Sequence, residues 1–229
     1  MSKPVLNLDL YKNYKSDFPP DAFHHVAWKT MQYEKMVDFY TRLFGCEALY
    51  ESDQITFLAF DQEHHRVAIA NTSDVLKNLG FIPKLIMNLK LFLNKKIPTI
   101  VGLDHISYRI NPIDRWFNFY FEAKERGLDP LWTINHGWIS GIYYKDPDGN
   151  LVEIFFEHFS SAEEFKNNIS PDFEDEPIGT NMDVEVLHKM FKSGAPFEDL
   201  IKKGNTVPEG KKPVSGIEAV KNMKKKFKD

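Results

Sequence analysis

Cysteine is nearly absent from this 229-residue chain: Cys46 stands alone. An intramolecular disulfide and a cysteine-based zinc cluster are both excluded, and a reducing, cytoplasmic setting is expected. Long apolar runs are missing too. The longest stretch, residues 81–93, is broken by Pro83, Lys84, Asn88 and Lys90. It is too short and too polar to span a membrane, and reads as an amphipathic connector helix whose face could touch a partner or a membrane surface. The first 21 residues are polar and carry no apolar core of a signal peptide, so no secretion signal is expected. No charge sign dominates either. The formal net charge is -4, which offers no footprint for nucleic acid, and the basic end from Lys221 to Lys228 reads as a solvated run. Neither nucleic acid nor membrane is expected as a partner.

What the chain does contain is a repeat. Phe23-His24-His25-Val26-Ala27-Trp28-Lys29 leads into a helical stretch ending Phe39-Tyr40. Leu103-Asp104-His105-Ile106-Ser107-Tyr108-Arg109 leads into another with Phe119-Tyr120, at an offset of eighty residues. Within each unit the apolar spacing predicts one order, βαβββ. In the first, residues 23–30 read as a strand and 32–44 as a helix stopped by Gly45, followed by strands over 46–51, 55–60 and 66–70. In the second, 103–110 read as a strand and Pro112 opens a helix that ends at Gly127. Strands follow over 129–134, 138–145 and 151–156. Asp146-Pro147-Asp148-Gly149-Asn150 punctuates the last two. The expected organisation is an N-terminal segment 1–21, a paired domain 22–158 (units 22–71 and 102–158, connector 72–101) and a tail 159–229. A capped helix is predicted over 180–190. The tail is expected to wrap the core or a second subunit of a homo-oligomer.

Strand alternation divides the side chains between two faces. Val26 and Trp28, Ile106, Tyr108 and Ile110, and Val152, Ile154 and Phe156 take the packed faces. His25, His105 and Glu153 take the opposite ones, and the histidine faces bear small or polar residues that suit a cavity wall. Two histidines and one carboxylate are the donor set of a non-haem Fe(II) site with open positions. His24 is the rival to His25; the repeat register and the face both favour His25.

These residues resemble the vicinal oxygen chelate superfamily, which includes glyoxalase I, bleomycin-resistance proteins and type I extradiol ring-cleavage dioxygenases. The resemblance spans residues 22–158. It is carried by His25-Val26-Ala27, Leu43-Phe44-Gly45, Leu103-Asp104-His105-Ile106 and the run from Asp146 through Leu151-Val152-Glu153. It implies an α+β fold of paired βαβββ modules closing around one metal cavity. Glyoxalase-like members use four protein ligands. Aligning Val67-Ala68-Ile69 with Val152-Glu153-Ile154 puts Ala68 in the fourth place, and alanine cannot ligate. The resemblance to the small extradiol dioxygenases then implies His25, His105 and Glu153 as ligands. It implies His65 of the His64-His65 run as the catalytic acid–base, with strict alternation favouring His64, and Tyr143 as a catalytic and substrate-binding residue. The family's second pocket histidine has no clean match: Ile134 falls at the aligned place, and His136, two residues on, is taken as the substrate-binding histidine.

The activity so implied is Fe(II)-dependent extradiol cleavage of a catechol-type aromatic diol by O2, with Mn(II) as another metal such donors accept. Two other classes fit the same residues. One is a metal-dependent lyase or isomerase of the glyoxalase type; the other is a non-catalytic ligand-binding cavity protein.

Overall fold

The computed structural model describes residues 22–73, 85, 86, 88–90, 92, 93, 103–168, 178–207, 210–216 and 218. The first unit comprises β1 (Val26–Thr30), α1 (Tyr33–Phe44), β2 (Glu47–Glu51), β3 (Ile55–Ala59) and β4 (Val67–Asn71). The second comprises β5 (His105–Arg109), α2 (Ile113–Glu125), β6 (Trp132–Asn135), β7 (Ile139–Lys145) and β8 (Leu151–Glu157). Both units are βαβββ, as the repeat predicts. The first forms a four-stranded sheet ordered β1-β4-β3-β2; the second, joined by β9 (Thr180–Asn181) of the tail, forms a sheet ordered β5-β8-β7-β6-β9, so β1 and β5 are both edge strands.

Each helix forms because its apolar positions recur on one face. In α1, Met36, Phe39, Tyr40 and Leu43 are buried; in α2, Trp116, Phe117, Tyr120 and Ala123 are. α1 ends where Gly45 turns left-handed at φ 59, the conformation glycine adopts without a Cβ penalty. The two helical faces share one core with Val152, Ile154 and Phe156, which are 0–1% exposed. The indole of Trp116 donates to the Ile154 carbonyl at 3.1 Å, so its one polar atom is satisfied inside that core.

The turn before β8 ties the units together. Asp146 accepts hydrogen bonds from the backbone N–H groups of Asp148 and Asn150 and from the Asn150 amide. It also accepts one from the Tyr40 hydroxyl of α1 at 3.1 Å. Gln32 reaches across to Pro147 O and Asp148 Oδ1, both at 2.7 Å. These bonds fix the start of β8, and therefore the height of Glu153 in the sheet.

The tail departs from the expected helix over 180–190. Its first residues form β9 (Thr180–Asn181), which pairs antiparallel with β6 and widens the second sheet. The helix begins later, at α4 (Val184–Lys192). Asp183 is its N-cap, accepting from the N–H groups of Glu185 and Val186. Such a cap contributes about 1 kcal/mol. A short helix, α3 (Ala162–Asn168), precedes this region, and α5 (Phe197–Ile201) follows it. Met182, Val184, Leu187 and Leu200 join the core.

Candidate functional site

The face opposite the helices carries the polar groups, as alternation requires. In β8 the side chain of Glu153 is 2% exposed between Val152 and Ile154 on the packed side. Glu153 pairs with Ser107 of β5 and with Tyr143 of β7. His105, at the head of β5, brings its Nε2 to 3.4 Å from Glu153 Oε2, while its Nδ1 contacts Asp104 at 2.7 Å. Ser107 donates to Oε2. His136, just beyond β6, has its Nε2 3.5 Å from Glu153 Oε1 and 3.2 Å from the Tyr143 hydroxyl. Tyr143 stands edge-on to His105, ring centres 5.3 Å apart. Gly141, the neighbour of Glu153 on β7, leaves the room: a Cβ there would sit 3.2 Å from the Glu153 carboxyl carbon.

Electrostatics follow from this packing. Burial acts to raise the Glu153 carboxyl, but His105, His136, Ser107 and Tyr143 outweigh it and hold the group well below the usual carboxylate range. The Glu153 carboxylate in turn raises His105 to about 9, against burial and with help from Asp104. Burial, then the Glu153 charge, push the Tyr143 hydroxyl far up, so it remains a proton donor at neutral pH. Glu153 Oε1 is buried and makes no well-formed hydrogen bond, with His136 Nε2 3.5 Å away. A buried anionic oxygen in that state is costly unless something positive completes its shell. An imidazole nitrogen beside it makes a donor pair that suits a divalent transition ion.

A second polar group lies at the head of β1. His24 and His25 touch through their Nδ1 atoms at 3.0 Å, and His64 and His65 through theirs at 2.5 Å. His25 and His65 have ring centres 4.6 Å apart, and His65 stacks on Phe57 at 4.5 Å. His65 is buried while His25 and His64 are exposed. Burial, then the imidazoles of His25, His64 and His24, lower the pKa of His65, which favours its neutral form. β4 begins only at Val67, so alternation does not reach His64 or His65, and His65 is the one that turns inward.

The predicted ligands are therefore not all together. His105 and Glu153 meet. Among the described residues, the group of three with ligand atoms within 4.8 Å of one another is His24, His25 and His65, and it lacks both His105 and Glu153. The expected ligand set of His25, His105 and Glu153 is not itself such a group among the described residues. His25 lies at the head of β1 in the first sheet and engages His24, whereas His105 opens β5 in the second. His136 and Tyr143 both lie beside Glu153. Sequence reasoning missed Asp104 and Ser107. Asp104 contacts the Nδ1 of His105 as His24 contacts that of His25, so a polar residue immediately before each histidine was the available signal.

The pairing registers test the repeat alignment independently. Ala27 pairs with Ala68 across β1 and β4, and Ser107 pairs with Glu153 across β5 and β8. Ala27 and Ser107 each lie two residues after the repeated histidine, so Ala68 stands where Glu153 stands. Two curated proteins from Rhodococcus globerulus are similar to this chain. Biphenyl-2,3-diol 1,2-dioxygenase 2 is 28% identical over 177 residues, 77% of this chain and 84% of that protein. Biphenyl-2,3-diol 1,2-dioxygenase 3 is 27% identical over 177 residues, 77% of this chain and 85% of that protein. Among solved structures, lactoylglutathione lyase from Agrobacterium tumefaciens superposes with a TM-score of 0.43 at 17% identity, covering 61% of this chain and 96% of that one. The family model described as Glyoxalase/Bleomycin resistance protein/Dioxygenase superfamily matches residues 22–154. With more than half of its length matched and the βαβββ repeat in place, the chain belongs to that superfamily.

Proposed function

We propose that the protein is an Fe(II)-dependent extradiol dioxygenase that opens the ring of a catechol-type aromatic diol with O2. The observation that carries this reading is the buried Glu153 carboxylate, one oxygen making no well-formed hydrogen bond and the other facing His105 Nε2. The names of the two Rhodococcus relatives point to the same reaction class. In this reading His105 and Glu153 hold the metal and His25 supplies the third donor, leaving its contact with His24 to do so. Ala68 at the fourth place contributes none. Iron, when bound, supplies the redox chemistry that couples an electron-rich diol to dioxygen.

The chain's own groups handle binding and protons. His65, whose lowered pKa favours the neutral imidazole, takes the second phenolic proton and later returns it. Tyr143, held protonated, donates a hydrogen bond to a diol oxygen, and His136 at 3.2 Å orients that hydroxyl. Both atoms of O2 enter the product, a hydroxymuconic semialdehyde type of compound, so no external reductant is consumed.

A second arrangement has its own support: the His24, His25 and His65 imidazoles form a three-nitrogen set. That set suits zinc or nickel as well as iron, and so also Lewis-acid chemistry of the lyase type. Metal analysis of anaerobically purified protein, followed by oxygen-electrode assays on substituted catechols, separates the two. Iron with oxygen uptake supports the dioxygenase. Zinc or nickel without uptake supports a lyase, and loss of all metal with retained diol binding supports a binding protein.

A further inference from the structure

Five of the eleven exposed large hydrophobic side chains described in this protein fall within nine residues. They are Leu85, Ile86, Leu89, Phe92 and Leu93, helical and 39–59% exposed. At 3.6 residues per turn their spacing confines them to one arc of roughly 120°. Asn88 and Lys90, also exposed, flank that arc on either side. A stripe of this width normally covers a core; here it faces solvent, which marks an interaction surface.

The charge of the segment says what kind of surface it meets. Between Asp74 and Asp104 the chain has Lys77, Lys84, Lys90, Lys95 and Lys96 and no aspartate or glutamate. That is a local reversal in a chain whose net charge is -4. A second copy docking through the same face would set two lysine-rich segments against each other. An anionic surface complements both the apolar arc and the lysines.

We propose that this segment is an interfacial anchor, attaching the protein to the surface of an anionic lipid bilayer with the Leu85–Leu93 arc in the headgroup and acyl boundary. No helix among the described residues is long and apolar enough to cross a membrane, so the segment lies on the bilayer without spanning it. The sequence named a membrane surface among the things this face could touch while leading to no expected membrane partner; the exposed arc argues for that contact. The proposal stands independently of the catalytic reading.

The test is sedimentation of the full-length protein with vesicles of phosphatidylcholine alone or mixed with phosphatidylserine. The protein is expected to pellet with the mixed vesicles, to stay in solution with the neutral ones, and to be released as salt is raised. Lys90→Glu weakens the partition by about fivefold or more, the ratio expected for one basic residue at such a surface. Leu89→Asp with Phe92→Asp abolishes it while far-UV circular dichroism and metal loading stay unchanged. Recovery in the supernatant with both vesicle types would overturn the proposal. So would full binding by the double variant, or a dimer that the double variant dissociates with no vesicle binding, which would assign the face to a second copy.

Discussion

Ala68 holds in the first sheet the place that Glu153 holds in the second. The two lie on paired strands at the same height relative to His25 and His105, yet one carries a methyl group and the other a buried carboxylate. The asymmetry makes Glu153 the sole carboxylate expected at the metal. Glu153→Gln should therefore weaken divalent-metal affinity by at least the order of 10–100-fold known for lost outer partners. Ala68→Ser should leave metal stoichiometry as it is. Isothermal titration with Fe(II) under nitrogen measures both, and equal losses in the two variants would contradict the asymmetry.

Gly141 bears on the same carboxylate from the neighbouring strand. Gly141→Ala introduces a methyl group that meets the Glu153 side chain, whose carboxyl carbon would lie 3.2 Å away. Overpacking of this kind costs about 1–3 kcal/mol, and Glu153 must shift to relieve it. The expected outcome is a folded protein with reduced metal affinity and a lower midpoint of thermal unfolding. Unchanged affinity would show that the carboxylate position is not critical.

His65 and Tyr143 are expected to separate in their effects. His65→Ala should retain metal and lose turnover by roughly 10²–10⁴-fold, the range for a lost general acid–base. Tyr143→Phe should lose less, because it removes one hydrogen bond and keeps the ring. Single-turnover assays on metal-quantified protein provide the check. Metal loss in the His65 variant would make it a ligand, in keeping with the three-imidazole set, and full activity would transfer the role to His64 or His136.

His158 predicts a pH dependence of stability. Its ring is buried, contacting Ser140 Oγ at 2.9 Å and the Gly137 carbonyl at 3.1 Å. Burial lowers its pKa from 6.5 to about 4. As pH falls through that window the unfolded chain takes a proton that the folded one refuses, so stability is lost on acidification and is full above 6.5. The difference in unfolding free energy between wild type and His158→Gln should shrink by up to about 3 kcal/mol across the window. Urea titrations at several pH values measure it, and a constant difference would contradict the assignment.

Much of this was legible in the chain. Period-two alternation placed Val152, Ile154 and Phe156 in the core and Glu153 opposite them, because a strand fixed at its turn has no other way to face. Aligning Val67-Ala68-Ile69 with Val152-Glu153-Ile154 already set Ala68 against Glu153, a match that the strand registers bear out. β9 was not legible: Thr180–Asn181 is too short to show a period, and it is a strand because β6 offers it an edge. The late start of α4 is set by the Asp183 cap, which only the bonds to Glu185 and Val186 reveal. Whether His25 meets the His105–Glu153 pair depends on how two sheets sit against each other. No local pattern encodes that placement.

The most direct test of the central claim is oxygen consumption by Fe(II)-loaded, anaerobically purified protein on addition of biphenyl-2,3-diol or another catechol. Uptake matched mole for mole by a yellow ring-opened product, and abolished by Glu153→Gln, is the predicted result. A protein that binds iron and the diol yet consumes no oxygen with any catechol would contradict it.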